Sequence, residues 1–530
     1  MRPWFLVFAI LAACGDDPAA TGGGPPIELG TFGSLSLPAG KGSFRLGVAS
    51  AATQIEESNT ATDWYLWTSP TGLAKSPFVG EAVRGYARAL EDVQLVSDLG
   101  VDSYRFSMEW ARIEPVKDQI DEAALAHYRT ELEALRARGI HPLVTVHHFS
   151  NPVWVADPRA IGCPNGPTAA NLCGFGSAGG AMIVSELRQH AALLAKRFGD
   201  LVDDWGTVNE PINYLLAAYA LGVFPPGGLN FSPDHYAAVL RDYIAAHVAI
   251  YDAIRANDTV DADGDGVAAS IGLSLSVADW RPARDGAPSD DPEDVAARAR
   301  LVQLYHYTFV DAVRRGMFDA NLDGTFDEPH PEWRGKLDWL GVQYYFRAGV
   351  TGKSPLLPAP LAFTPCFGGL DMGACLSASQ PTYCVPAMGY EGWADGIYDI
   401  LVAYAQRYPE LPLVVSEAGI ATKLAARRSE NIVRVLEAVA RARDHGVDVR
   451  GYYHWSLTDN FEWAEGFTPT FGLYSVDTGT FDRSANAATE TMRAIATTRT
   501  VTSEQRARYG GTGPMTPEPD HRLDAKCRKD

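Results

Sequence analysis

The feature that most constrains this chain is an alternation of two patterns. Eight short runs rich in β-branched or aromatic residues lie at 44–50, 101–108, 141–149, 203–210, 269–279, 337–346, 411–419 and 449–457, most of them separated by a long amphipathic helical pattern. Strands joined by helical crossovers run parallel, so the alternation predicts a parallel sheet. Eight such units predict a sheet closed on itself, a single eight-stranded (β/α)8 TIM barrel of the α/β class. The intervening helices carry their own boundary signals. Asp291-Pro292-Glu293 is an N-cap followed by Pro at the first helical position, opening a pattern that runs to Gly316. Between Asp121 and Arg138, Leu125, Tyr128, Leu132 and Leu135 recur at helical spacing, and Gly139 ends the run. These stripes are core positions facing the barrel.

With 530 residues, 46% of them hydrophobic, the chain can bury a large core. Its formal charge of -20 excludes a phosphate-binding surface of the nucleic-acid type, which needs a net basic patch, and fits a neutral substrate. The apolar run from Trp4 to Ala13 is too short to span a membrane and has the length of a secretory h-region. It ends in Leu11-Ala12-Ala13-Cys14-Gly15, which resembles a bacterial lipoprotein cleavage box. The expected layout is therefore a signal peptide (1–13), a lipidated Cys14 with a Gly- and Pro-rich tether (14–40), the catalytic barrel (41–498) and a polar C-terminal tail (499–530) with the composition of a mobile terminus. The expectation for location is an exported lipoprotein, periplasmic or at the cell surface, held to a membrane by its N-terminal lipid. An ordinary signal peptide with an incidental cysteine is the alternative. Export allows disulfides among the six other cysteines. Cys163 and Cys173 flank a Gly- and Pro-rich loop and are the simplest pair, while Cys366, Cys375, Cys384 and Cys527 allow three pairings. Zinc is not favoured, because there is no CxxC pair or Cys/His cluster.

In a barrel of this kind, chemistry gathers at the C-terminal ends of the strands. Here those ends carry Gln54, Arg105, His147, Asn209 with Glu210, Tyr345, Glu417, and Trp455 leading to Glu462. A lone Glu is most simply a surface or capping carboxylate. Two, each directly after an apolar strand on one barrel face, can flank a glycosidic bond, one protonating the leaving oxygen while the other attacks the anomeric carbon.

The contexts of the two carboxylates sharpen this reading. Glu210 lies in Thr207-Val208-Asn209-Glu210-Pro211, and Glu417 in Leu413-Val414-Val415-Ser416-Glu417-Ala418-Gly419. Phe44 to Glu56, the segment Tyr104-Arg105-Phe106-Ser107-Met108-Glu109-Trp110, and the long segment Trp455 to Phe467 add further motifs. From about Phe44 to Glu490 the sequence resembles glycoside hydrolase family one, the β-glucosidases and their relatives. The resemblance implies a retaining β-glycosidase acting by double displacement on terminal β-linked hexose, with Glu210 as acid/base, Glu417 as nucleophile, and no cofactor for catalysis. It also implies that Arg105 and Tyr345 orient Glu417 and that Asn209 reads the 2-hydroxyl. Gln54, His147, Glu462 and Trp463 would hold the remaining hydroxyls above a floor formed by Trp455. Opposite charge beside a carboxylate keeps it ionised, as a nucleophile requires.

The sequence departs from the family pattern at four places. Ala418 replaces the amide residue after the nucleophile, Gln343 alters the Asn-Tyr-Tyr pattern, His148 stands where a Trp commonly follows the strand-three His, and Tyr390 replaces a Trp of the leaving-group site. None removes a catalytic carboxylate, so they bear on affinity and leaving-group preference. Relatives acting on 6-phosphorylated sugars usually replace the Trp after the eighth-strand Glu and add a nearby Lys. Here Glu462-Trp463 is intact and 467–471 contains no Lys, which predicts a neutral glucoside or galactoside as substrate.

Two acidic segments fall outside the resemblance: Asp261, Asp263 and Asp265 before Gly266, and Asp319, Asn321 and Asp323 before Gly324. Alternating short acids followed by Gly resemble the first half of a calcium loop, so a structural Ca2+ in one or both is expected, with solvated acidic turns as the alternative. Two other functions compete with hydrolysis. A transglycosylase would use the same covalent intermediate, and a lipid-anchored sugar-binding protein would keep the fold without its chemistry.

Overall fold

The computed structural model describes residues 22–36, 43–160, 162–366, 373–376 and 381–518. Its centre is a ring of eight strands: β1 (Arg45–Ala49), β2 (Ser103–Ser107), β3 (His141–His147), β4 (Asp204–Asn209), β5 (Ser270–Arg284), β6 (Trp339–Thr351), β7 (Leu413–Ala418) and β8 (Val449–Trp455). Each pairs in parallel with its neighbours in sequence. β8 returns to β1 with Gly451 opposite Arg45 and Trp455 opposite Ala49, which closes the barrel as the alternation predicts.

A long helix follows every strand: α1 (Ala89–Leu99), α2 (Glu122–Arg136), α3 (Gly180–Phe198), α4 (Pro233–Asn257), α5 (Pro292–Val302), α6 (Gly396–Arg407), α7 (Ala425–Asp444) and α8 (Ala487–Thr498). The Asp291 side chain accepts from the Glu293 amide and so caps α5, which continues through a π-helical turn to Arg315 and stops at Gly316 in the left-handed conformation. In α2 the Asp121 side chain caps the start, and Leu125, Tyr128, Leu132 and Leu135 are buried. Each such side chain contributes about 1.5–3 kcal/mol when removed from water. Leu132→Ala would therefore cost about 2–5 kcal/mol, the transfer loss plus the cavity it leaves.

The structure differs from the expected layout in three places. β5 and β6 overrun the barrel rim by several residues and stay paired from Arg347 opposite Asp279 to Val350 opposite Pro282, raising a wall beside the mouth. Polar residues there hide the strand from a search for apolar runs. The segment 22–36 is not a free tether, because Ile27–Glu28 pairs antiparallel with Thr500–Val501, and Leu29 and Leu35 are buried. Nor are residues 499–518 a loose tail. After that strand, the helix Ser503–Tyr509 begins with a Thr502/Gln505 capping box, and the buried Glu518 accepts from the Thr422 hydroxyl. Both corrections have one cause: each segment is polar on average but supplies a partner for the other's backbone. Disulfides join Cys163 to Cys173, as expected, and Cys366 to Cys375. Cys384 is also disulfide-bonded, whereas Cys14 and Cys527 lie outside the described residues.

Candidate active site

The mouth of the barrel holds a cavity of about 260 Å³ at the C-terminal strand ends, lined among others by Gln54, Asn209, Glu210, Tyr345, Glu417, Trp455, Glu462 and Trp463. Glu210 ends β4 in the left-handed conformation (φ 39°, ψ 57°). Pro211 fixes the first helical position behind it and disfavours the right-handed helical region for the residue it follows. Strain of this kind persists where surrounding structure over-determines it, as at reacting centres. One helical turn on, the Asn213 amide donates to Glu210 Oε2 at 2.7 Å. Ser276 of β5 also hydrogen-bonds Glu210, and it in turn accepts from the Tyr305 hydroxyl at 3.0 Å.

Glu417 lies in β7 with different donors. Arg105 of β2 donates Nη1–H to its Oε1, and the Tyr345 hydroxyl donates to its Oε2. Arg105 also donates Nη2–H to Asn209 Oδ1 at 2.6 Å, and Gln343 Nε2 donates to the same oxygen at 2.8 Å. The Asn209 carbonyl is thus saturated by protein, which fixes its amide nitrogen as the outward donor.

Burial first, then the charge of Glu417, pushes the Glu210 carboxyl up to about 8. Burial raises Glu417 too, but the Arg105 charge and the hydrogen bonds from Tyr345 and Arg105 pull it back. Of the pair, Glu417 therefore ionises first and Glu210 keeps its proton. Glu462, pushed up to about 8 by burial and then by both carboxylates, accepts from Gln54 Nε2 at 3.2 Å. That nitrogen also donates to the Phe461 carbonyl at 2.8 Å, leaving Gln54 Oε1 buried with no hydrogen-bond partner.

His147 is the expected residue that the structure places elsewhere. Its Nδ1 hydrogen-bonds the Tyr243 hydroxyl (2.8 Å) on α4 and its Nε2 the Asn151 side chain (3.1 Å), so both ring nitrogens are engaged away from the cavity. The next residue, His148, lines the mouth, stacks on Trp463 at 5.9 Å and has a buried Nδ1 without a partner. Successive side chains along a strand point to opposite faces, so the one-residue slip exchanges a cavity residue for a helix-facing one. Of two adjacent histidines, the chain pattern alone does not say which faces inward.

The wall raised by β5 and β6 completes the mouth. Tyr390, named from the sequence at the leaving-group site, stacks on Phe346 of β6 with ring centroids 4.7 Å apart, and Met388, which sequence reasoning missed, is also in the lining. Asn213 was recoverable as the polar residue one turn beyond Glu210. Tyr305 and Met388, contributed by a helix and a long loop, carried no local signal. Neither acidic loop reaches this cavity. In the second, Asp319 accepts from the amides of Asp323 (3.1 Å) and Gly324 (2.8 Å), and Asn321 Nδ2 donates to Asp323 Oδ2 at 3.1 Å, so these groups are engaged within their own loop.

Known proteins resemble the chain along most of its length. It is 31% identical over 489 residues to a beta-galactosidase of Pyrococcus woesei, an overlap covering 83% of this chain and 93% of that protein. A beta-glucosidase A of Thermotoga maritima is 27% identical over 473 residues, covering 83% and 94%. Among solved structures, a beta-glycosidase from Pyrococcus horikoshii superposes with a TM-score of 0.74 at 27% identity, covering 92% of this chain and 99% of that one. The model of the glycosyl hydrolase family 1 matches residues 40–500, and the chain belongs to that family.

Proposed function

We propose that this chain, a retaining β-glycosidase as a member of its family, uses Glu417 as nucleophile and Glu210 as acid/base on neutral β-linked hexose. The observation that carries the assignment is the unequal surroundings of the two carboxylates: a guanidinium and a phenol donate to Glu417, while Glu210 is kept protonated by burial and by its neighbour's charge. In the first step the Glu417 carboxylate forms a bond to the anomeric carbon as the glycosidic C–O bond breaks, and the Glu210 proton passes to the leaving oxygen. In the second, Glu210, now a carboxylate, takes a proton from water, whose oxygen bonds to the anomeric carbon and releases Glu417. Two inversions leave the sugar β. No step calls on a cofactor.

Asn209 donates to the 2-hydroxyl, Gln54 Oε1, Glu462 and His148 bind the outer hydroxyls, and Trp455 lies beneath the ring. The aglycone meets Tyr390, Phe346 and Met388. Glu417→Ala should abolish turnover of aryl β-glycosides, with added azide restoring part of it by attacking the α face that Glu417 would otherwise attack, giving the α-azide. Azide rescue of Glu210→Ala giving the α-azide, instead of Glu417→Ala, would reverse the roles.

The location belongs to the same proposal. In it Cys14 is the lipidated N-terminus of an exported enzyme held at a membrane surface; the Leu11-Ala12-Ala13-Cys14 box motivates this, and the disulfides fit an oxidising compartment. Mass spectrometry of the mature N-terminus tests this; a soluble protein that retains Met1 would contradict it.

A further inference from the structure

The first acidic loop lies at the opposite end of the barrel from the mouth, between α4 and β5, and the catalytic chemistry leaves it unused. Within the loop Asp261 accepts from the amides of Gly264 (2.7 Å), Asp265 (3.0 Å) and Gly266 (2.8 Å), and Asp263 Oδ1 accepts from the Asp265 amide (3.1 Å), as Asp319 does from amides in the second loop. Asp265 is engaged by Ser34 of the N-terminal segment, whose hydroxyl donates to it. In its place the fold brings in Asp203, the residue before β4. Carboxylate oxygens of Asp203, Asp261 and Asp263 lie within 4.8 Å of one another. Asp203 is 5% exposed; its Oδ1 accepts from the Ala262 amide at 2.8 Å, and its Oδ2 is buried with no hydrogen-bond partner. A buried carboxylate oxygen without a donor is costly. The nearby guanidinium groups do not relieve it: Arg45 is paired with Asp204 and stands 3.9 Å from Asp263 Oδ2, while Arg136 donates to the Ala262 carbonyl.

Calcium takes oxygen ligands at 2.3–2.6 Å, so ligands facing each other across the ion stand up to about 5 Å apart. Two carboxylates from a Gly-containing loop and one from the residue before β4 match that span, and the oxygen-only donor set favours a hard cation over zinc or copper. We propose that Asp203, Asp261 and Asp263 bind a structural Ca2+ that ties the α4–β5 loop to the foot of β4. Because Ser34 joins the same loop through Asp265, the ion also stiffens the seat of the N-terminal segment. The site at the barrel foot serves stability and not turnover.

The test uses the full chain stripped with chelator and then given Ca2+ or Mg2+. Terbium luminescence excited through tryptophan, displaced by Ca2+, reads binding; the buried Trp205, whose indole donates to Asp258 at 2.8 Å, lies close to the loop. Ca2+ should bind with one site per chain at this loop and raise Tm saturably, on the order of 2 °C. It should leave the initial rate on an aryl glycoside unchanged. Asp261→Asn and Asp203→Asn should lose both the luminescence and the Tm shift, while Asp319→Asn in the second loop should keep them. If Asp203→Asn does not fold, judged by its rate on the same glycoside, Asp261→Asn carries the comparison. Absence of binding and Tm shift in the native chain, or undiminished binding in Asp261→Asn, would overturn the proposal. So would loss of the signal in Asp319→Asn, which would move the ion to the other loop.

Discussion

Glu210 and Glu417 face one buried cavity but answer to different donors, Asn213 for the first and Arg105 with Tyr345 for the second. The asymmetry is what divides the labour between two chemically identical groups. Arg105 does a second task, because its other terminal nitrogen holds Asn209. The guanidinium beside Glu417 thus also fixes the orientation of the Asn209 amide, which couples positioning to charge.

The pH dependence follows from the same asymmetry. Turnover of substrates with poor leaving groups should fall as pH rises through the Glu210 pKa, near 8, and fall again in acid as Glu417 is protonated. Glu210→Gln should remove the alkaline limb of kcat, whereas Glu462→Gln should leave it in place and mainly raise KM. Stability carries a matching signature. Glu210 has a folded pKa raised above its unfolded value, so its contribution is fully present in acid, below the ordinary Glu range, and is lost as pH rises through about 8. The Tm of Glu210→Gln relative to the native chain should therefore climb as pH rises from the ordinary Glu range to about 8 and level off above it. A Tm difference that stays constant across pH would contradict the assignment.

His148 and His147 offer a sharper comparison, since they are neighbours on opposite faces of one strand end. His148→Ala should lower kcat/KM by about 10- to 100-fold, the range expected for a lost hydrogen bond to a ligand in a buried site, with little change in Tm. His147→Ala breaks contacts to Tyr243 and Asn151, so it should lower Tm and leave KM close to native. The reverse pattern would restore His147 to the sugar site.

Much of this site was legible in the sequence, and the misses share a physical origin. The eight strands declare themselves because each is an apolar run in a buried sheet; Glu210 follows one of them directly and Glu417 lies near the end of another. His147 was misplaced because strand periodicity is two residues, so a slip of one reverses the face while leaving the motif almost unchanged. Tyr305, Met388 and the β5–β6 wall reach the mouth through long-range packing that local pattern does not encode. Asp203 is the same case at the other end, an acid outside the loop motif that the fold brings to it.

The donor sugar is expected to be neutral glucose or galactose. Glu462 and Trp463 line the cavity, and its described lining holds no Lys or Arg to neutralise a phosphate. Matched aryl β-glucosides, β-galactosides and 6-phospho-β-glucosides should rank with the two neutral donors well ahead. A preference for the phosphorylated donor would sink this expectation.

The central claim is that Glu417 forms a covalent bond to the sugar, and the configuration of the first sugar released tests it most directly. Proton NMR of the anomeric signal, followed from the first turnovers of an aryl β-glucoside before mutarotation, should show the β-anomer appearing first and the α-anomer growing in only later. Initial release of the α-anomer would mean a single displacement by water, and with it Glu417 could not be the nucleophile.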